Sequence, residues 1–350
     1  MLPKNAGLWL PGYLKSCTTN LLRNHRGPGR VWLAITDHYE PLWRGASEET
    51  ARERVARWVD RLPEIASHFR DSQGRPPKYT FFYPQEEYRT DILDDLAKLT
   101  EAGFADVEIH IHHDGEGEQD FIDRMAGFAE VLFTRHGLLR KRDGRIVFGF
   151  IHGNFALDNS LPGGRGCGLN NELLLLRDLG CYADFTFPSA PSPTQPRLIN
   201  KIYWASDHSG RPKSYDTGVP LKPGGEIAGD LLMIPGPLAI DWSSRGRLRP
   251  RLEIGELASY YEPSRGRVRT WLDFSPRIGS DIFVKLFTHG TQERHSDLLL
   301  SNGLKDTFRW MQEECTRRGH SLHYVSAWQM SKVLESLRLR SDPVADLNDQ

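Results

Sequence analysis

Short apolar runs recur along the chain, each closing in polar residues and leading into a stretch of helical periodicity, an alternation that predicts an α/β fold. The first run, Val31 to Thr36, closes in Asp37-His38-Tyr39-Glu40-Pro41. Glu48 to Phe69 follows, with Val55, Trp58, Val59, Leu62 and Ile65 on one helical stripe. Tyr79 to Tyr83 stops at Pro84 before an amphipathic segment, Ile92 to Leu99. Val107 to Asp114 precedes a helix over Phe121 to Arg135, and Ile146 to Ile151 runs into His152-Gly153-Asn154. A short helix over Glu172 to Leu179 leads to a strand over Ala183 to Phe187. Leu231 to Ile234, Ile282 to Phe287 and Ser321 to Val325 complete the strands, with helices over Leu298 to Arg318 and Ala327 to Leu337. Seven or eight strands interleaved with helices predict a distorted (β/α) barrel with long loops at its C-terminal face.

One such barrel over residues 31–338 accounts for most of the 350 residues, with an N-terminal extension over 1–30 and a tail over 339–350. Two segments break the rhythm. Ser189 to Thr217, rich in Pro, Ser and Gly, and Trp242 to Val268, rich in Arg and Gly, read as long loops of the kind that carry function.

Polar residues at the strand ends supply the chemistry. In Val107 to Asp114, alternation puts Glu108, His110 and His112 on one face and Ile109 and Ile111 on the other. If the apolar face meets the helices, the histidines face inward near the barrel mouth, joined by His113 and Asp114 at the strand end. Three imidazoles in four positions are hard to account for by packing, because each needs a partner when buried. Imidazole and carboxylate together suit Zn²⁺ and other divalent ions, with His38, His110 and His112 as the metal-ligand candidates. Asp37 stands beside His38 where such barrels collect catalytic groups, as a base toward an activated water. His289, closing the run Leu286-Phe287-Thr288 before Gly290, is the candidate general acid. Glu87, His113, Asp114, His152, Asn154 and Asp158 are candidates for contacting substrate. Asn154, Asp158 and Asn159 equally suit a turn held by side-chain bonds, and Glu86 and Glu87 a solvated helix start. Pro188 to Gln195, with Tyr203 and Trp204, would wall a saccharide cleft.

Charge and cysteine usage narrow the partners. Lys+Arg (45) nearly cancels Asp+Glu (46), so no broad field attracts nucleic acid or an anionic membrane. Cys17, Cys167, Cys181 and Cys315 are scattered without a CxxC pair and read as reduced thiols. Pro11-Gly12 interrupts the one apolar stretch near the N-terminus, so neither a signal peptide nor a membrane span is expected, and a cytoplasmic protein is.

The strand-end motifs, in order, resemble those of the polysaccharide deacetylases of the nodulation-deacetylase type. That family has a distorted barrel and removes acetyl groups from amino sugars with a divalent metal, most often zinc. The resemblance spans about residues 31 to 335 and implies that Asp37-His38 stands for the family's Asp-Asp pair, the first residue as base and the second as ligand. It places His112 on the first histidine of the family's His-Ser/Thr-x-x-His motif and Glu116 on the second, so that Glu116, His110 or His113 would complete the coordination. His289 matches the family's late Leu-x-His. The combination Asp-His-Tyr-Glu-Pro, His-His-Asp and His-Gly-Asn-Phe-Ala-Leu-Asp-Asn-Ser looks like a divergent, deacetylase-like branch. The implied activity is hydrolysis of an acetylated saccharide or polysaccharide precursor. Glycoside or other C–N hydrolysis on the same scaffold, with Glu87 and Asp114 or Asp158 as carboxylate pair, and a metal-free saccharide-binding protein are the alternatives.

Overall fold

Eight strands run parallel in the computed structural model, which describes residues 4–23, 27–243 and 250–348. They are β1 (Arg30–His38), β2 (Tyr79–Pro84), β3 (Ala105–Ile111), β4 (Arg145–His152), β5 (Cys181–Asp184), β6 (Leu231–Met233), β7 (Asp281–Thr288) and β8 (Ser321–Tyr324). Each coincides with an expected strand to within a few residues. The helices are α1 (Ala6–Arg23), α2 (Glu48–Ser67), α3 (Thr90–Glu101), α4 (Glu118–Thr134), α5 (Glu172–Leu179), α6 (Arg265–Phe274), α7 (Glu293–Leu298), α8 (Leu304–Arg318), α9 (Ala327–Leu339) and α10 (Pro343–Asn348). Short antiparallel strands add to the sheet at Arg140–Arg142, Tyr203–Ala205, Val219–Pro220 and Arg277–Ile278, and a separate hairpin pairs Ala239–Asp241 with Arg251–Glu253.

The expected closed barrel is not what the ladders form. Hydrogen bonding runs β7-β1-β2-β3-β4-β5-β6, and among the described residues no ladder joins the two ends. A closed eight-stranded barrel would place β8 between β7 and β1. Here β7 pairs with β1 directly from Arg30↔Asp281 to Asp37↔Thr288, and β8 takes only the first half of the other edge of β1, leaving its second half to β2. The helix after β8 fills the concave side of the sheet: Met330, Val333, Leu334 and Leu337 of α9 cluster with Trp32, Ala34, Phe82 and Phe283.

Lys285 of β7 reaches across this concavity, and its buried Nζ donates to the carbonyls of Phe185 and Phe187, each at 2.7 Å. Burial pushes its ammonium down to about 7 against the attraction of Asp184. The unfolded chain keeps that proton up to about pH 10. Stability therefore rises as pH climbs from about 7 toward 10, because the unfolded state binds more protons there. Lys285→Met should flatten that rise in denaturation midpoints measured against pH; parallel profiles for both proteins would contradict the assignment.

On the convex side the helices bury the expected stripes. Ser47 caps α2 by accepting from the Thr50 amide at 3.1 Å, and Val55, Trp58, Leu62 and Ile65 are buried under it while Val59 is only partly so. The N-terminal segment departs from expectation, since α1 runs through Pro11-Gly12 unbroken. A Cβ on Gly12 would stand 2.6 Å from Cγ1 of Ile199, so glycine lets the helix seat closely, with Trp9 and Tyr13 packed near Ile199, Leu238 and Ala239. The second expected loop holds the hairpin's second strand and the start of α6, its residues 244–249 lying outside the described set, and the expected tail contains α10. Among the described residues no helix is long and apolar enough to cross a membrane.

Candidate metal centre

Alternation along the strands sorts their C-terminal residues onto two sides of the sheet. On β1, Ile35 and Tyr39 join the core beneath the helices while Trp32 and Ala34 face α9, so His38 lies on the concave side and Asp37 on the convex side. On β3, Ile109 and Ile111 join the convex core, which leaves His110 concave, followed by His112 beyond the strand end. His289 follows Phe287 at the end of β7.

The concave imidazoles converge as the alternation predicts. The His38 ring centroid is 5.1 Å from that of His110 and 4.7 Å from that of His289, and His110 and His112 are 4.8 Å apart. Among them lies Glu40, whose role went unrecognised in the sequence; its Oε1 is 3.4 Å from Nε2 of both His110 and His112. Potential ligand atoms of His38, Glu40 and His289 all lie within 4.8 Å of one another, as do those of Glu40, His110 and His112.

The outer nitrogens of His110 and His112 are committed, which turns their Nε2 atoms toward Glu40. His110 Nδ1 donates to the Ile151 carbonyl at 3.1 Å, and its Nε2 faces Glu40. His112 Nδ1 bonds Glu86 Oε1, again turning Nε2 toward Glu40. Such outer bonds fix the tautomer of metal-binding histidines. His38 is 1% exposed and neither ring nitrogen has a partner. Burial, and then His289 and His110, hold His38 well below its usual range; burial likewise pushes His289 down to about 4. Burial would raise the Glu40 carboxyl, but bonds from His110 and His112 hold it below the usual carboxylate range. Burial would lower His112, yet Glu40 and Glu86 push it up to about 10, a preference for positive charge that a divalent cation would also meet. The donor set of imidazoles and one carboxylate fits Zn²⁺ or a similar ion.

Asp37 is not placed as a base. Its Oδ1 accepts from the Gly290 amide at 2.7 Å and its Oδ2 from the Tyr79 hydroxyl at 2.8 Å, with no exposed surface. Burial pushes it up to about 7 against these two donors. Gly290 matters here for close approach, since a Cβ would meet Asp37 Oδ2 at 2.1 Å. Asp37 thus anchors the turn that presents His289. Asp37→Asn should cost about 1–3 kcal/mol of stability by replacing an acceptor with a donor. Unchanged thermal stability with lost turnover would instead favour the catalytic role.

The expected substrate contacts largely belong elsewhere. His113 and His152 are buried on the convex side with Cys167 and Glu172. Asp114 is exposed and accepts from the Gly166 amide, and Asn154 donates to the carbonyls of His113 and Gly166, so both lace a loop. Asp158 is buried and accepts from the Ser214 amide at 2.6 Å. Glu116 pairs with Arg124 rather than reaching the concave cluster. Glu87 stays near the centre: it accepts from the Leu42 amide at 2.6 Å, and burial, with Glu40 and Glu86, pushes it up to about 7. Tyr203 is buried and Trp204 lines a cleft of ≈410 Å³ with Arg142 and Arg177 at the opposite end of the strands, so neither walls this site. Pro188 to Gln195 is closed on itself, Gln195 Oε1 accepting from the Ser189 and Ala190 amides.

A cleft of ≈510 Å³ is lined by Trp43, Arg44, Tyr260, Gln292 and His295, of which Trp43 and Arg44 lie a few positions along the chain from Glu40, and Gln292 and His295 from His289. Trp43 follows Glu40 in the chain, while Tyr260 bonds Glu256, whose Oε1 is 4.0 Å from His289 Nδ1. No protein-family model and no curated protein matches the chain.

Proposed function

We propose that the chain is a metal-dependent hydrolase of the polysaccharide-deacetylase kind, acting on an acetylated saccharide or its soluble or lipid-linked precursor in the cytoplasm. The observation that carries this reading is His38: a buried imidazole with both nitrogens unpartnered, ringed by His110, His289 and Glu40. A buried polar group without a partner costs several kcal/mol, roughly 1–3 on protein scales, unless something absent from the chain itself satisfies it. The parallel sheet, open between β6 and β7, is read as a variant of that family's barrel.

His38, His110, His112 and Glu40 would hold the ion. A divalent cation there would activate water and polarise the substrate carbonyl. His289, neutral at neutral pH and facing Glu256, takes the proton of the attacking water at its ring and returns it to the departing amine or alkoxide, the base role that Asp37's position denies. Trp43 and Tyr260 would stack on the sugar, apolar face to ring, as aromatic side chains do.

The test is product analysis with zinc-loaded protein and an N-acetylated oligosaccharide. Free acetate that disappears on chelation and returns with zinc is the expected result. Shortened oligosaccharides without acetate would overturn it in favour of glycoside hydrolysis, and binding without turnover in favour of a saccharide-binding protein.

A further inference from the structure

On the opposite side of the sheet from the concave centre lies a second cluster that this function leaves unused. Alternation sends His113, two residues after Ile111, and His152, two after Phe150, to the convex side. There they meet Glu172 at the start of α5 and Cys167 from the loop before it; all four side chains are buried. Ligand atoms of the four lie within 4.8 Å of one another. Glu172 Oε1 is 3.0 Å from His113 Nε2 and 3.7 Å from His152 Nε2. Its Oε2 lies 3.2 Å from Cys167 Sγ and accepts from the Asp158 amide at 2.6 Å. Cys167 Sγ is in turn approached by the amides of Asn159 at 3.3 Å and Leu169 at 3.4 Å, while burial and Glu172 push its thiol up, so it is a cation that would displace the proton.

Hydrogen bonding among these groups is incomplete. His113 Nδ1, His152 Nε2 and Glu116 Oε2 are buried without partners. Glu116 Oε2 lies 3.9 Å from His113 Nδ1, placed as the outer carboxylate that fixes a metal-binding histidine. One thiol, two imidazoles and one carboxylate converge as a closed four-ligand donor set.

We propose that Cys167, His113, His152 and Glu172 form a second, structural site for Zn²⁺ or a similar ion. Binding releases the thiol proton to solvent and joins Sγ, two ring nitrogens and one carboxylate oxygen to the ion. Coordination by His152 Nε2 moves the ring proton to Nδ1, so the 3.2 Å contact from the Asn154 amide opens. The ion would clamp the 153–171 loop and α5 onto the residue that follows His112, stiffening the concave centre from behind. All four ligands are buried, so the site is structural rather than catalytic.

Cobalt substitution of the full chain separates the two sites, because only the convex one contains sulfur. Co²⁺-loaded wild type should hold about two ions per chain and show a near-ultraviolet thiolate-to-cobalt band, whereas Cys167→Ala should lose the band and about one ion. His38→Ala should keep the band while losing the other ion, so failure of the concave reading leaves this one standing. Should Cys167→Ala not fold, Glu172→Gln serves in its place, with altered band position or loss of the ion expected. A wild-type spectrum without the band under saturating Co²⁺, or a band that persists in Cys167→Ala, overturns the proposal.

Discussion

His110→Ala should strip the concave centre of its ion and lower turnover by roughly 10²-fold or more, since losing merely an outer partner of a ligand typically costs about 10- to 100-fold. His110 is fully buried, its Nδ1 committed to the Ile151 carbonyl and its Nε2 aimed at Glu40, so its loss removes a fixed ligand nitrogen from the cluster. The change also leaves Glu40 with one of its two imidazole partners. The neighbouring Ile109→Val, on the convex face, should leave metal content untouched and cost about 0.5–1.5 kcal/mol of stability. Elemental analysis after dialysis, beside acetate release, reads both. Full metal occupancy in His110→Ala would remove this residue from the centre.

Arg267→Ala should destabilise the protein by about 3–5 kcal/mol, the range for removing one partner of a buried ion pair. Arg267 and Glu253 have no exposed surface and meet as a fork, Nε to Oε2 at 2.6 Å and Nη2 to Oε1 at 2.9 Å. The guanidinium also donates to the carbonyls of Glu256 and Tyr261 and lies 3.6 Å over the Tyr261 ring. It therefore ties α6 to the segment that carries Glu256 and Tyr260 to the cleft. Truncation strands the Glu253 carboxylate in the interior, whereas Arg267→Met with Glu253→Leu should recover most of the loss. Thermal denaturation of both variants decides it; a single variant within about 1 kcal/mol of wild type would show that the pair is not what holds the segment.

The strands and their apolar faces were legible because period-2 patterning survives any arrangement of the strands. The same rule, carried further, reaches one residue the sequence reading left out and moves another to the opposite side of the sheet. Glu40 lies two residues past His38, on its face, and His113 two past Ile111, on the opposite face from His112. Both follow from counting, and both were obscured by treating the strand ends as one crowded mouth. Asp37 was misplaced for that reason too: its carboxylate turns to the convex side, to the Gly290 amide and the Tyr79 hydroxyl, while His38 faces the concave cluster.

Other features had no local signal. Whether the sheet closes depends on α9 occupying the concave side, and an amphipathic helix reads alike inside or outside a barrel. Cys167 and Glu172 join His113 and His152 only through the path of the loop between Gly153 and Asn171, whose laces at Asp114, Asn154 and Asn159 each read as ordinary turn chemistry. Pro11-Gly12 read as an interruption of an apolar stretch, and Gly12 is instead the point where a helix seats against Ile199.

Anomalous diffraction from crystals of the zinc-loaded chain tests the central claim most directly. A zinc peak enclosed by His38, Glu40, His110 and His112, at about 2.0–2.2 Å from their ligand atoms, is the predicted result. Saturating zinc with no density at His38, its ring still unpartnered, would contradict it.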